Sequence, residues 1–174
     1  MDEAKAEAVE GELRAWLSGA SKVAIVGVGN PLRRDDAVGV EVVRRLRAKL
    51  KGSGGPPGYV ELIEAEAVPE NLIGPILSLR PSHILIVDAA HHYGPPGSVM
   101  LVKPSALVGP SFSTHAPSLR LFCSFLERAI GAKSLVLGIR PLDTGFGEGL
   151  TEQLDRAADM VADMLVRLLS RAGR

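Results

Sequence analysis

The chain has one cysteine, Cys123, so no internal disulfide can form and the fold must rest on packing and hydrogen bonds. Side-chain amides are nearly as scarce: Asn30, Asn71 and Gln153 are the whole complement, a composition that leans towards a heat-adapted source. Charge of one sign is not in excess, since 20 Lys and Arg balance 20 Asp and Glu, and the electrostatic footprint that nucleic acid or an anionic membrane would require is missing. The expected partner is therefore a protein or a small molecule. No apolar run approaches the roughly 18 residues that cross a bilayer, and the longest, Val23 to Val28, has the length of a strand. The start of the chain carries Asp2, Glu3 and Glu7 where a secretion signal would place basic residues and then an apolar stretch, so the expected location is cytoplasmic.

What is present is a chain of 174 residues with 46% hydrophobic side chains, enough to build the core of one domain. Residues 4 to 17 place Val9, Leu13, Trp16 and Leu17 at helical spacing, which predicts an amphipathic helix; residues 1–21 form a helical extension and 22–174 the main domain. Lys22 to Val28 reads as a buried strand from its β-branched content, and Asp36 to Leu50 as a helix. After the Gly/Pro-rich turn Gly52 to Gly58, a strand is expected near Tyr59 to Glu64, a helix from about Pro69 to Arg80 and a strand over His83 to Asp88. Alternation of this kind implies a parallel sheet covered by helices. The connection Ala89 to Gly97 is too short for a crossover helix, so Ser98 to Val102 should run antiparallel, and residues 103 to 114 then return the chain to the first edge, bringing His115 with them. Helix Ala116 to Ile130, strand Lys133 to Ile139 and a last helix, about Thr151 to Leu169, complete an α/β fold. It is a single three-layer domain with a mainly parallel, twisted five-stranded sheet, one antiparallel strand and helices on both faces.

In this arrangement Asp36, Asp88 and His115 meet at one sheet edge, the edge where open α/β sheets bind ligands. Two carboxylates and an imidazole make an incomplete metal site, suited to nickel, zinc or manganese, with positions left for water or substrate. Each residue also has a structural alternative: Asp36 at a helix N-terminus, Asp88 capping a strand end, His115 in a loop. A dinucleotide fingerprint fails in Gly27-Val-Gly-Asn-Pro-Leu-Arg-Arg-Asp-Asp36. Leu32 stands where the third glycine belongs, Pro31 removes a donor, and Asp35 and Asp36 would repel pyrophosphate.

Four blocks carry a resemblance. Gly27-Val-Gly-Asn-Pro-Leu-Arg-Arg-Asp-Asp-Ala-Val-Gly39, Leu85-Ile-Val-Asp-Ala89, Ser113-Thr-His115 and Leu137-Gly-Ile-Arg-Pro141 resemble, in order and spacing, the hydrogenase maturation protease family. Ala67-Val-Pro-Glu-Asn71 and Leu79-Arg-Pro81 are most similar to the branch acting on formate-hydrogenlyase-type hydrogenases. The resemblance implies an endopeptidase that removes the C-terminal extension of a [NiFe]-hydrogenase large-subunit precursor. The resemblance further implies that the nickel is supplied by the precursor and contacted by Asp36, Asp88 and His115 as both metal-binding and catalytic residues. Asp36, not Asp35, matches the first family ligand. The chain departs from the family at Glu64-Ala-Glu-Ala67, where many members carry Asp-Gly-Gly.

No competing nucleophile stands out. Cys123 falls in the apolar helix stretch Leu121 to Leu126 and reads as core. Ser113 and Thr114 lack a G-x-S-x-G context and read as helix-starting residues. His91 and His92 read as solvated loop residues and His83 as structural, while Arg33 and Arg34 read as a solvated loop or as a site for a substrate carboxylate. Asn30 reads as a brace for its loop. Two rival functions remain: a non-enzymatic metal-sensing chaperone of the precursor, and a nucleotide-binding enzyme of flavodoxin-like architecture.

Overall fold

The six residues Val23–Val28 (β1) are buried without exception in the computed structural model, which describes residues 3–52, 54–66, 69–107, 113 and 115–171. They are buried because strands cover both their edges and helices both their faces. β1 pairs in parallel with Val60–Glu66 (β2) on one side and His83–Ala89 (β3) on the other, and β3 pairs in parallel with Lys133–Ile139 (β5). Val99–Val102 (β4) runs antiparallel to β5 at the far edge, giving the order β2-β1-β3-β5-β4. The expected reversal of β4 is present, and β5 lies between β3 and β4.

Alternate side chains of each strand enter different cores, as the twofold period of a strand requires. Val23, Ile25, Leu85 and Val87 face a core shared with helices α1 (Glu3–Leu17), α2 (Val38–Lys51) and α5 (Glu152–Arg171). Ala24, Val26, Ile84 and Ile86 face α3 (Ile73–Leu79) and α4 (Ala116–Ile130). The inward stripe of α5 contains Leu154, Val161, Met164, Leu165 and Leu168, as its spacing predicted. α1 places Leu13 and Leu17 in the first core, and Trp16 meets the His83 ring edge-on at 4.8 Å. Burial of a leucine such as Leu13 contributes roughly 2 kcal/mol. Among the described residues no helix is long and apolar enough to cross a membrane.

Two helices begin later than their periodicity implies. Arg34–Ala37 forms a 3-10 turn before α2, because the Asp35 N–H is drawn to the Asp143 carbonyl (3.1 Å) while the Asp36 N–H bonds back to Arg33 (3.0 Å). Pro69–Leu72 is likewise a 3-10 turn ahead of α3. α3 ends at Arg80, whose φ of 50° is left-handed and whose N–H closes on the Ile76 carbonyl.

One close approach positions the site. A Cβ on Gly39, in the first turn of α2, would lie 2.1 Å from the Val87 carbonyl oxygen and 2.4 Å from that of Val28. Only glycine lets the start of α2 rest on both β1 and β3, which sets the turn containing Asp36 beside the strand end containing Asp88. Residues 108–112 and 114, on which the expected return of the chain partly depends, lie outside the described residues.

Candidate functional site

The chain leaves β1 for β2 in one direction and later adds β3 on the opposite side, so a crevice opens at the C-terminal ends of β1 and β3. Asp36 follows β1, Asp88 is the penultimate residue of β3, and His115 immediately precedes α4. All three are buried, with 3%, 1% and 8% of their surface exposed, a costly position for polar groups unless they are paired.

Asp88 and His115 are paired directly. His115 Nδ1 lies 3.1 Å from Asp88 Oδ1, and the Ser113 hydroxyl donates to Asp88 Oδ2 at 2.5 Å. Ser113 Oγ also accepts the His115 N–H at 3.1 Å, so one hydroxyl holds both the carboxylate and the backbone of the histidine. Ser113 thus supports the start of α4, as its sequence context suggested, and in addition holds Asp88. Its serine-to-aspartate bond spans 25 positions of sequence, and no local pattern announces it. Thr114 lies outside the described residues.

Burial raises the Asp88 pKa above its usual value, the hydrogen bonds from His115 and Ser113 act against that rise, and the Asp36 charge reinforces it. For His115, burial opposes protonation, yet the Asp88 hydrogen bond and charge, aided by the Asp36 charge, outweigh it and the net pKa is raised. Arg33 acts in the opposite direction on His115, so its guanidinium also belongs to the electrostatic surroundings of the site.

Asp36 is set by the loop before it. The Asn30 N–H donates to Asp36 Oδ2 at 3.1 Å, and Asn30 Oδ1 accepts the Leu32 N–H at 3.0 Å, so Asn30 braces the loop from both of its polar ends. Gly29, with φ of 151°, packs so closely that a Cβ there would come 2.0 Å from the Asp36 carbonyl oxygen. Neither the turn containing Asp36 nor α4 behind His115 has a side-chain cap bond, although Asp36 lies in an acidic turn just ahead of α2, where the helix dipole favours a carboxylate.

The neighbouring acid, Asp35, is wholly buried and turned away from the crevice. Its carboxylate accepts the N–H groups of Leu142 (2.9 Å), Asp143 (2.9 Å) and Thr151 (2.7 Å) and the Thr151 hydroxyl (2.9 Å). The resemblance selects Asp36 over Asp35 as the site residue; in the structure Asp35 clamps two loops together, while Asp36 accepts the Asn30 N–H and its charge acts on Asp88. Arg33 and Arg34 are part of the same clamp. Arg33 Nε donates to the Thr144 carbonyl at 3.2 Å, and Arg34 Nε lies 3.4 Å from Asp143 Oδ2.

The remaining candidates are structural. His83 sits in β3 with its Nδ1 2.9 Å from Ser82 Oγ. His92 ties its loop together through the carbonyls of Tyr93 and Ser98, and Arg140 bonds the His92 carbonyl. Glu64, at the family departure, is engaged by Arg44 and Arg47 of α2. Cys123 is 2% exposed, and burial pushes its thiol up to about 12, so it holds no thiolate at neutral pH. Cys123→Ala is accordingly expected to leave the parental activity unchanged in a folded protein; a variant that loses that activity with parental circular dichroism would reverse the assignment.

Chemically, the crevice offers two carboxylates and one imidazole held in a fixed orientation. With Nδ1 engaged by Asp88, the imidazole is held by a carboxylate, which fixes the orientation of its ring. Among the described residues no three His, Cys, Asp or Glu side chains are gathered closely enough to hold a metal ion.

Comparison with known proteins places these features in context. A family model described as hydrogenase maturation protease matches residues 40–168. The chain is 30% identical over 133 residues to the hydrogenase 3 maturation protease of Escherichia coli K12, covering 76% of this chain and 81% of that one. The crystal structure of the [NiFe] hydrogenase maturation protease HycI from Thermococcus kodakarensis KOD1 superposes with a TM-score of 0.82 at 29% identity, covering 92% of this chain and 99% of that one. The Escherichia coli hydrogenase maturating endopeptidase HybD superposes with a TM-score of 0.71 at 25% identity, over 87% and 94% of the two chains.

Proposed function

Because the chain belongs to the hydrogenase maturation protease family, we propose that it is the endopeptidase that removes the C-terminal extension of a nickel-loaded [NiFe]-hydrogenase large-subunit precursor. The observation that carries this proposal is the buried Asp88–His115 pair at the β1/β3 crevice, with Asp36 coupled to both by charge. Three protein groups supply only part of a coordination sphere, and the precursor's own thiolates supply the rest, so nickel enters with the substrate as a recognition element. The metal can polarise the scissile carbonyl or activate a bound water, so the ion that licenses the cut can also assist it. The branch acting on formate-hydrogenlyase-type hydrogenases is the proposed source of the precursor, and the cytoplasm is the proposed place of cutting.

The test is one incubation read by intact mass. Nickel-loaded precursor should lose its tail and nickel-free precursor should not. Tail loss from both would remove nickel from the proposal. Stable binding without tail loss from either would favour the rival chaperone, which needs the same ligands but no hydrolysis.

A further inference from the structure

Large apolar side chains left in water are concentrated near the crevice. Among the described residues, six are exposed: Leu32, Tyr93, Leu121, Leu142, Phe125 and Phe146. Four of them, Leu32, Tyr93, Leu142 and Phe146, stand on the loops that follow β1, β3 and β5, at the same sheet edge as Asp36 and Asp88. Phe146 is 86% exposed and Leu32 51%.

The loops that display Leu32, Leu142 and Phe146 are held firmly. Residues 33 and 147 form an isolated parallel bridge, with the Arg34 N–H bonded to the Gly147 carbonyl and the Gly147 N–H to the Leu32 carbonyl, both at 2.9 Å. The Arg34 side chain lies over Gly147, where a Cβ would come 2.9 Å from its Nε. Arg34 itself is kept at φ 43°, a conformation that a non-glycine residue holds only when its surroundings impose it. The four bonds to the Asp35 carboxylate fasten the same two loops from beneath. Apolar groups on so braced a frame lose little entropy when a partner covers them, which favours their use in binding.

We infer that Leu32 and Phe146, with Leu142, are substrate-positioning residues that grip an apolar segment of the precursor beside the scissile bond. The inference rests on the proposed proteolytic function. The occupant is the precursor because the patch is continuous with the site: Leu32 is bonded to Asn30, Asn30 to Asp36, and the charge of adjacent Arg33 reaches His115. Few residues in a protein contact supply most of its affinity, and exposed aromatic anchors of this kind are the usual ones.

The experiment compares Leu32→Ala and Phe146→Ala with Leu121→Ala and Phe125→Ala, which remove exposed apolar groups from α4, using nickel-loaded precursor at several concentrations. The first pair should raise KM about tenfold or more with kcat near the parent value, and the second pair should change neither. Thermal midpoints of all four should match the parent, since the side chains removed are exposed. If the parent cuts and the first pair retains the parental KM, the inference is overturned while the proteolytic function stands. A parent that dimerises through the patch in sedimentation, with Phe146→Ala monomeric and its KM unaltered, would assign the surface to a second copy of the chain and also overturn it. A parent that neither cuts nor binds the precursor would remove the proteolytic function and this inference together.

Discussion

Asp36→Asn, Asp88→Asn and His115→Ala should each abolish tail removal from nickel-loaded precursor while leaving a folded protein. Asparagine at position 36 keeps an oxygen for the Asn30 N–H but loses the charge that acts on Asp88 and His115. At position 88 the expected stability change is informative in sign. The folded-state pKa of Asp88 is raised by burial, so the stability linked to this group is fully present below its ordinary value of 3.8 and is lost as pH rises through the folded value. Ionised Asp88 therefore costs stability at neutral pH, and Asp88→Asn should melt at or above the parental midpoint although it is inactive. His115 acts in the same direction: its raised pKa supplies stability below the ordinary 6.5 that is lost as pH rises through the folded value. A helix cap or strand cap behaves otherwise, since its removal lowers stability by about 0.5 to 2 kcal/mol and spares the activity of the folded fraction. Thermal melts beside intact-mass assays separate the cases, and three folded variants cutting at the parent rate would end the assignment of these residues.

The largest effect on stability is expected one residue away. Asp35→Ala removes the acceptor of three backbone N–H groups and a hydroxyl at a wholly buried position. Each buried donor left unpaired costs roughly 1 to 3 kcal/mol. Allowing for water entering the gap, a total loss of about 3 to 5 kcal/mol follows, a large fraction of the roughly 5 to 15 kcal/mol by which domains of this size are stable. The thermal midpoint should fall by about 10 °C. Asp35→Asn should recover only part of this, because its amide group would face donors with a donor. Activity should fall too, since the clamp places the loops that carry Leu32, Phe146 and Asp36. A midpoint within a degree or two of the parent for Asp35→Ala would show that the loops hold together without it.

These contrasting fates of adjacent acids mark where local reading stops. The strands and helices were legible because their apolar spacing is periodic over neighbouring residues: alternate positions of β1 and β3 fill two cores, and the α5 stripe follows the helical period. The antiparallel direction of β4 was legible for a reason of length, since the connection Ala89 to Gly97 is too short to carry a crossover helix. Asp36, Asp88 and His115 were named from chain order and from the resemblance of their motifs. Helix starts were less legible, because the turn before α2 is shaped by a bond from Asp35 to Asp143, far along the chain.

What the sequence by itself determined is thus the set of elements, which depends on interactions within a turn or two of chain, together with the candidates Asp36, Asp88 and His115, which chain order and motif resemblance named. Only the tertiary structure decided that Asp35 ties the loop after β1 to residues 107 to 116 positions away. It also decided that Ser113 joins Asp88 to His115, and that Arg33 and Arg34 brace a loop that displays Phe146. Hydrogen bonds depend on distance and angle in space, and chain order constrains neither once the partners are separated by whole secondary-structure elements.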